Sequence, residues 1–389
     1  MGKARQSALG MKQQMLDEAI AATGYDDFGN PAFLANMDRH LASIDEEGRV
    51  TANGLKATAA QHGLALRALL HAQAGFTARP DALARPIVKP LIIAGIPRSG
   101  TTALHRLLSI DPQFQGYEHW LTRAPMPRPP RETWPSLKPY QEAKAGLDAV
   151  VAAAPEMLND HMHEVDAVEE SLFLLAATFC SNHFPEQWHV PSYDAWYRQA
   201  DEVPSYLWLA DTHRLIGAET PERRWLIKNP TDIFSIRAVL TAFPDAMIVQ
   251  THRDPLEAVP SLVNLLANVR RMYEEENFDP ELLIRRDAEF WELATRRIEA
   301  AKAREPGRYL DIDFRHFTRD QMATIHRIYD HFSLVLASPV EDEMRRWLAA
   351  NPRREAKDGG ARHRAEHFGM ASGELAEIFA DYRRKYGYG

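Results

Sequence analysis

A single cysteine, Cys180, stands among 389 residues, which excludes an intrachain disulfide and fits a reducing compartment. Its apolar neighbours on one side read as a packed thiol rather than a nucleophile. An excess of positive charge is lacking as well. The formal net charge is −8, whereas a nucleic-acid binder more often carries a basic balance. No apolar run approaches the length that crosses a bilayer, and the opening MGKARQSALGMKQQ has no apolar signal core. The expectation is a cytoplasmic protein with no nucleic-acid partner and no membrane span. The 45% hydrophobic content is ordinary for a globular chain. The length suits one large domain or a domain with a helical appendage.

The most informative absence is one lysine. Residues Pro90 to Ile110 read PLIIAGIPRSGTTALHRLLSI. Leu91, Ile92 and Ile93 form a short apolar run closed by Gly95, the pattern of a strand buried on both faces. Ile96 to Gly100 turns the chain, and Leu104, Leu107 and Leu108 then share one face of a helix that Asp111-Pro112 ends. Strand, glycine-containing loop and helix N-terminus together aim backbone N–H groups and the positive end of a helix dipole at one point, where an anion belongs. Gly95 and Gly100 have the spacing of the G-x-x-x-x-G-K-[ST] phosphate loop, but Thr101 stands where the lysine should be, followed by Thr102. The β- and γ-phosphates of a nucleoside triphosphate lose their main cationic partner by this change. The positive charge lies inside the loop instead, on Arg98, whose guanidinium can fork two oxygens of a phosphate or sulfate.

PRSGTT after an apolar strand resembles the 5′-phosphosulfate loop of sulfotransferases that use 3′-phosphoadenosine 5′-phosphosulfate (PAPS). Gln250 to Ser261, QTHRDPLEAVPS, is similar to that family's 3′-phosphate element, with Arg253 and Ser261 eight positions apart across a helix start. With RWLIKNP between the two motifs, the resemblance is to the bacterial group that carries arginine in the loop, and it runs from about Pro86 onward. It implies that Arg98, Ser99, Gly100, Thr101 and Thr102 hold the 5′-phosphosulfate and that Arg253 and Ser261 hold the 3′-phosphate. It implies no metal. Lys357 to His367 is a basic, glycine-containing loop. Either it is a solvated surface, or Arg362 and His363 contact the nucleotide as the family's loop does.

The remaining chain frames these motifs. Residues from about Met11 to Ala78 read as helices broken by a turn at Asp26 to Pro31. This helical layer packs on the core or on a second subunit. Short strands are expected near Phe114, over Arg224–Lys228, Ala246–Thr251 and Arg308–Ile312, each followed by helical patterning. The order predicts an α/β protein: a three-layer, P-loop-like fold with a mainly parallel five-stranded sheet and an N-terminal helical layer. The expected division is a helical region over 1–85 and an α/β domain over 86–389. Ala167 to Phe179 reads as one amphipathic helix, and Arg270 to Arg286 as a solvated one. Phe184 to Tyr206 is aromatic and broken by proline; it walls an acceptor pocket or forms core.

Lys228 falls at the carboxyl end of its strand, where open α/β sheets bind ligands. There it and Arg98 can stabilise charge on a transferring sulfuryl group. His161 stands eight residues before Glu169-Glu170, as does a histidine in the related bacterial enzymes, and a histidine is the usual general base near neutral pH. Glu118 is the second candidate, displaced by about one residue from the family's glutamate. The function these features imply is sulfuryl transfer from PAPS to a hydroxyl or amine of a small-molecule acceptor. A small-molecule kinase using ATP and Mg²⁺ could use the same loop, although the missing lysine and the Arg253/Ser261 pair weigh against it. A non-catalytic nucleotide-binding protein is the third reading.

Overall fold

The computed structural model describes residues 7–153, 164–352 and 363–389. In chain order its principal elements are α1 (Lys12–Thr23), α2 (Ala32–Glu47), α3 (Ala52–Ala78), β1 (Leu91–Gly95), α4 (Thr101–Leu108), β2 (Phe114–Gln115), α5 (His119–Arg123), α6 (Val203–Ile216), β3 (Arg224–Lys228), α7 (Ile236–Ala242), β4 (Met247–His252), α8 (Pro255–Glu274), α9 (Pro280–Lys302), β5 (Tyr309–Asp313), α10 (Phe314–Arg319), α11 (Gln321–His331), α12 (Ser338–Ala350) and α13 (Ala380–Tyr386). They divide into two units. Val88–Gly116, Arg223–Ala267 and Asp279–Gly389 form one; Met1–Ile87, Tyr117–Glu222 and Asn268–Phe278 form the other. The helices expected as an N-terminal layer over 1–85 are therefore the first part of a larger helical unit.

The α/β unit is built on a parallel sheet of order β2-β3-β1-β4-β5. Its strands are short apolar runs because both faces are covered. Leu91 pairs with Leu226 on one side and Met247 on the other, and Val249 pairs with Leu310. These residues, with Ile93 and Ile312, share a core with Leu104, Leu107 and Leu108 of α4 and with Phe317, Met322, Ile325 and Ile328 of α10 and α11. The alternate residues Ile92, Ala94, Ile227 and Ile248 are buried as well. From the central β1 the chain builds first toward β2 and β3, then crosses to β4 and β5. The switch point thus lies at the carboxyl ends of β1 and β4, where such sheets bind ligands.

The helical unit starts α3 with the Thr51 side chain accepting from the Gly54 N–H at 3.1 Å. Its interior is aromatic and imidazole-rich. His40 stacks on His62 at 5.0 Å and meets Phe184, Trp188 and Tyr193 at 4.5, 5.2 and 5.2 Å. Phe184, Trp188, Tyr193, Tyr197 and Tyr206 are all buried, so these aromatic residues of the proline-broken stretch are core. The helix expected over Ala167 to Phe179 is much shorter. Val168 bridges Glu118, and the Glu169 N–H donates to the Tyr117 carbonyl at 2.9 Å. The chain is held extended there and turns helical only at Leu172–Leu175. The strand near Phe114 ends at Gln115, and His119 already opens α5. Nor is Arg270 to Arg286 one solvated helix. Arg270 and Glu274 are buried, and Arg270 donates to the carbonyls of Pro185 and Glu186 at 2.6 and 3.0 Å.

Burial holds four histidines of this unit in the neutral form: His40 well below its ordinary value, His62 and His213 at about 4, and His183 at about 3. Unfolding returns each to about 6.5. Below that pH the unfolded chain binds more protons, so stability is full above pH 6.5 and falls as pH drops toward 4. Each histidine adds a slope of up to about 1.4 kcal/mol per pH unit. Urea midpoints measured from pH 7.5 to 4.5 should decline steeply below 6.5; a flat profile would contradict the neutral assignment.

Candidate functional site

The site begins where β1 stops. Gly95 has φ +146°, and a Cβ there would lie 2.4 Å from the Thr251 carbonyl of β4. Only glycine lets the two strand ends approach this closely. The loop that follows is tied at the same place. Ser99 Oγ donates to the Ile96 carbonyl at 2.6 Å and lies 2.6 Å from Thr251 Oγ1. Arg98 adopts φ +69°, a left-handed conformation that a non-glycine residue holds only when its surroundings impose it. Gly100, φ +88°, then caps α4 and packs against Phe314 and Phe317. The first turn of α4 carries N–H groups that have no intrahelical acceptor.

Three cationic side chains meet this loop inside the α/β unit. Arg98 Nε donates to Ser261 Oγ of α8 at 3.1 Å. Arg253 donates to the Arg98 carbonyl at 2.8 Å, pairs with Glu257 at 3.1 Å, and lies over the Phe314 ring at 4.7 Å. Buried Lys228, at the end of β3, donates to Thr102 Oγ1 at 3.0 Å. Arg98, Ser99, Gly100, Thr101, Thr102, Lys228, Arg253 and Ser261 thus belong to one constellation at the carboxyl end of the sheet. Helix α8 runs on through Pro260, so Ser261 keeps its place two turns from Pro255.

Sequence reasoning gave no role to the residues that hold Arg253 from behind. Its N–H donates to the Tyr382 oxygen. Tyr382 O–H lies 2.9 Å from His252 Nδ1, and His252 Nε2 lies 2.7 Å from Asp311. Burial keeps His252 neutral against the pull of Asp311. The imidazole therefore accepts at Nδ1 from Tyr382 and donates at Nε2 to Asp311. Burial alone would raise the Asp311 carboxyl, but its bonds to His252 and Lys302 hold it at about 2. Tyr386 stacks on His252 at 3.8 Å, and Arg383 pairs with Asp254 at 3.1 Å. Helix α13 thereby grips the chain on both sides of Arg253. No local motif marks this network; it joins β4, β5, α9 and α13, which are far apart in sequence.

Glu118 belongs to the helical unit. Its carboxylate accepts from Arg128 Nε at 3.1 Å, while the adjacent His119 Nδ1 lies 3.0 Å from Glu169. His161 and Arg362 lie outside the described residues. His363 is described, as an exposed residue with its ring 6.5 Å from that of Phe368. Among the described residues no group of three or more His, Cys, Asp or Glu side chains could hold a metal ion, and no helix is long and apolar enough to cross a membrane.

A family model described as "Sulfotransferase family" matches residues 90–338. The omega-hydroxy-beta-dihydromenaquinone-9 sulfotransferases Stf3 of Mycobacterium bovis and Mycobacterium tuberculosis are each 26% identical over 252 residues, which is 63% of this chain and 63% of each relative. Among solved structures, sulfotransferase STF1 from Mycobacterium tuberculosis H37Rv superposes with a TM-score of 0.86 at 28% identity, over 97% of this chain and 100% of that one. Sulfotransferase STF9 from Mycobacterium avium gives 0.85 at 23% identity, over 99% and 98%, a likeness of fold.

Tyr382→Phe removes the donor to His252 and the acceptor of the Arg253 N–H, leaving buried polar groups unmatched. The variant should lose about 1–3 kcal/mol of stability, read by thermal or urea unfolding. An unchanged unfolding curve would mean that α13 does not hold Arg253.

Proposed function

The chain belongs to the sulfotransferase family, and on that premise we propose that it transfers the sulfuryl group of PAPS to a hydroxyl or amine of a small-molecule acceptor. One observation carries the choice of donor. Arg98 of the phosphosulfate-type loop bonds Ser261, and Arg253 bonds the Arg98 carbonyl. A loop suited to a 5′-phosphosulfate and a pair suited to a 3′-phosphate are thus built as one piece. The donor set fits the group: two guanidiniums, one ammonium, the hydroxyls of Thr102 and Ser261, and a helix N-terminus, with no loop lysine of the ATP-binding kind. Gly95 and Gly100 hold the loop in shape, since a Cβ at either position would meet Thr251 or the Phe314 and Phe317 rings.

When bound, PAPS supplies an activated sulfuryl group whose leaving side is a phosphate. The chain's own residues position it and offset its charge. Arg98 and the N-terminus of α4 face the charge on the 5′ side. Lys228, fixed through Thr102 beside that helix, offsets charge that grows on the departing phosphate oxygen. Such contacts gain strength in a site that excludes water. An acceptor oxygen or nitrogen forms the new bond to sulfur, its proton passes to a base, and 3′-phosphoadenosine 5′-phosphate (PAP) is the second product. We assign the base to His161. The Glu118 carboxylate already accepts from Arg128 Nε at 3.1 Å and would have to give up that bond to take a proton from an acceptor. The Stf3 relatives are named for a hydroxylated menaquinone derivative, which agrees with a hydroxyl acceptor but does not name the one used here.

Calorimetric titration with PAP, ADP and ATP in the absence of magnesium tests the donor. PAP should bind clearly more tightly than ADP or ATP. Preference for ATP, strengthened by magnesium, would make the chain a kinase. Arg98→Ala should weaken PAP by roughly tenfold or more, the loss of about 1.5–3 kcal/mol in charge-assisted bonds, and near-normal affinity would sink the loop assignment. Turnover in a screened acceptor should fall by about 10²–10⁴ in His161→Ala with PAP affinity held within about twofold. If only Glu118→Ala has that effect, the base is Glu118.

A further inference from the structure

The helical unit holds a second set of positive charges, for which no described residue supplies a hydrogen-bonded acceptor. Arg67 lies on α3 and Arg123 ends α5, two helices that pack together. Both are partly buried. Neither donates a hydrogen bond or joins an ion pair with any described residue. Arg123 lies over the Phe173 ring at 5.5 Å. The same ring meets His119 at 6.3 Å and His183 at 6.0 Å.

The neighbouring groups do not neutralise this pair. Glu169 is the carboxylate that acts on Arg123, but it already accepts from His119 at 3.0 Å and from the Glu170 N–H at 2.9 Å. His183 is neutral, pushed down to about 3 by burial and by the Arg123 charge. It is bonded to Gln187 at 3.0 Å, which in turn accepts from Tyr273 O–H at 3.2 Å. Glu142 acts on His71, next to Arg67, and pairs with Lys138. Loss of hydration lowers the Arg123 guanidinium, and the Arg67 charge lowers it further. Two guanidiniums that repel each other, removed in part from water and with no acceptor for their donor forks among the described residues, are costly for a fold to keep unless something else completes them. Each fork matches an oxyanion.

We propose that the helical unit contains an oxyanion-binding site anchored by Arg67 and Arg123, with the Phe173 ring as its apolar floor. Its ligand is a phosphate, sulfate or carboxylate group, free in solution or carried on an organic molecule. The site goes beyond the donor assignment and does not depend on it.

Thermal unfolding in sodium phosphate, against sodium chloride of equal ionic strength, tests the site. It is done with PAP saturating and again in the Arg98→Ala background. The second arm removes the loop as an alternative phosphate site even if PAP does not bind, so failure of the donor assignment and failure of this one are distinguishable. With Arg67 and Arg123 in place, phosphate should raise the midpoint by about 2–4 °C in both arms. Arg123→Met and Arg67→Met should abolish that shift while unfolding in chloride at or above the wild-type midpoint, because each removes an uncompensated charge. Phenyl phosphate binding at least about tenfold more tightly than inorganic phosphate marks an organic ligand; equal affinity marks the free ion. In the wild type, phosphate should protect Arg67 and Arg123 from phenylglyoxal, mapped on peptides. A phosphate shift that survives in either variant, an Arg123→Met protein that is destabilised or unfolded in chloride, or the absence of protection would each overturn the proposal.

Discussion

The α/β unit depends on one close approach, that of the Gly95 backbone to the Thr251 carbonyl. It brings the ends of β1 and β4 together without an intervening side chain. Ser99 and Thr251 then join the two strand ends through their hydroxyls. With the loop anchored there, Arg98 is forced into a conformation it would not choose, and its side chain reaches α8 rather than solvent. The strain is small beside the packing that imposes it: the central strands are buried on both faces, and each well-buried aliphatic side chain is worth about 1.5–3 kcal/mol.

Charge is handled in two different ways in this chain. In the α/β unit every cation of the proposed donor site has a partner within the protein: Arg98 has Ser261, Arg253 has Glu257 and the Arg98 carbonyl, and Lys228 has Thr102. Those partners orient the donors, and a site oriented in advance loses less freedom when it binds. The helical unit bonds His183, Gln187 and Tyr273 together but leaves both ring nitrogens of His40 unmatched, and Arg67 and Arg123 have no hydrogen-bond or ion-pair partner among the described residues. A neutral group left unmatched costs about a hydrogen bond, whereas a partly buried charge left unmatched costs more.

Much of the fold was legible because its signals are local. A four- or five-residue apolar run closed by glycine or a polar residue can do little else than form a covered strand, and β1 and β3 end where their patterns end. The phosphate-type loop and the Arg253/Ser261 spacing were legible for the same reason. The failures share a cause as well. Ala167 to Phe179 has helical periodicity, but Val168 and Glu169 are claimed by backbone bonds to residues 117 and 118, and tertiary pairing overrides propensity. Arg270 looks like a solvated charge until the carbonyls of Pro185 and Glu186 are brought to it.

By itself, then, the sequence determined the order of strands and helices, the phosphate-type loop with its displaced positive charge, and the Arg253/Ser261 spacing on which the proposed donor rests. Each is written in a few consecutive residues, so the chain's local geometry is enough to express it. Only the tertiary structure decided which side chains hold the others in place. It set the Tyr382–His252–Asp311 network behind Arg253, turned the aromatic stretch after Phe184 into core, and left Arg67 and Arg123 facing each other's charge. The physical reason is that pairing and desolvation are properties of neighbours in space. A lone histidine, tyrosine or arginine in a sequence carries no sign of which residue will supply, or fail to supply, its partner.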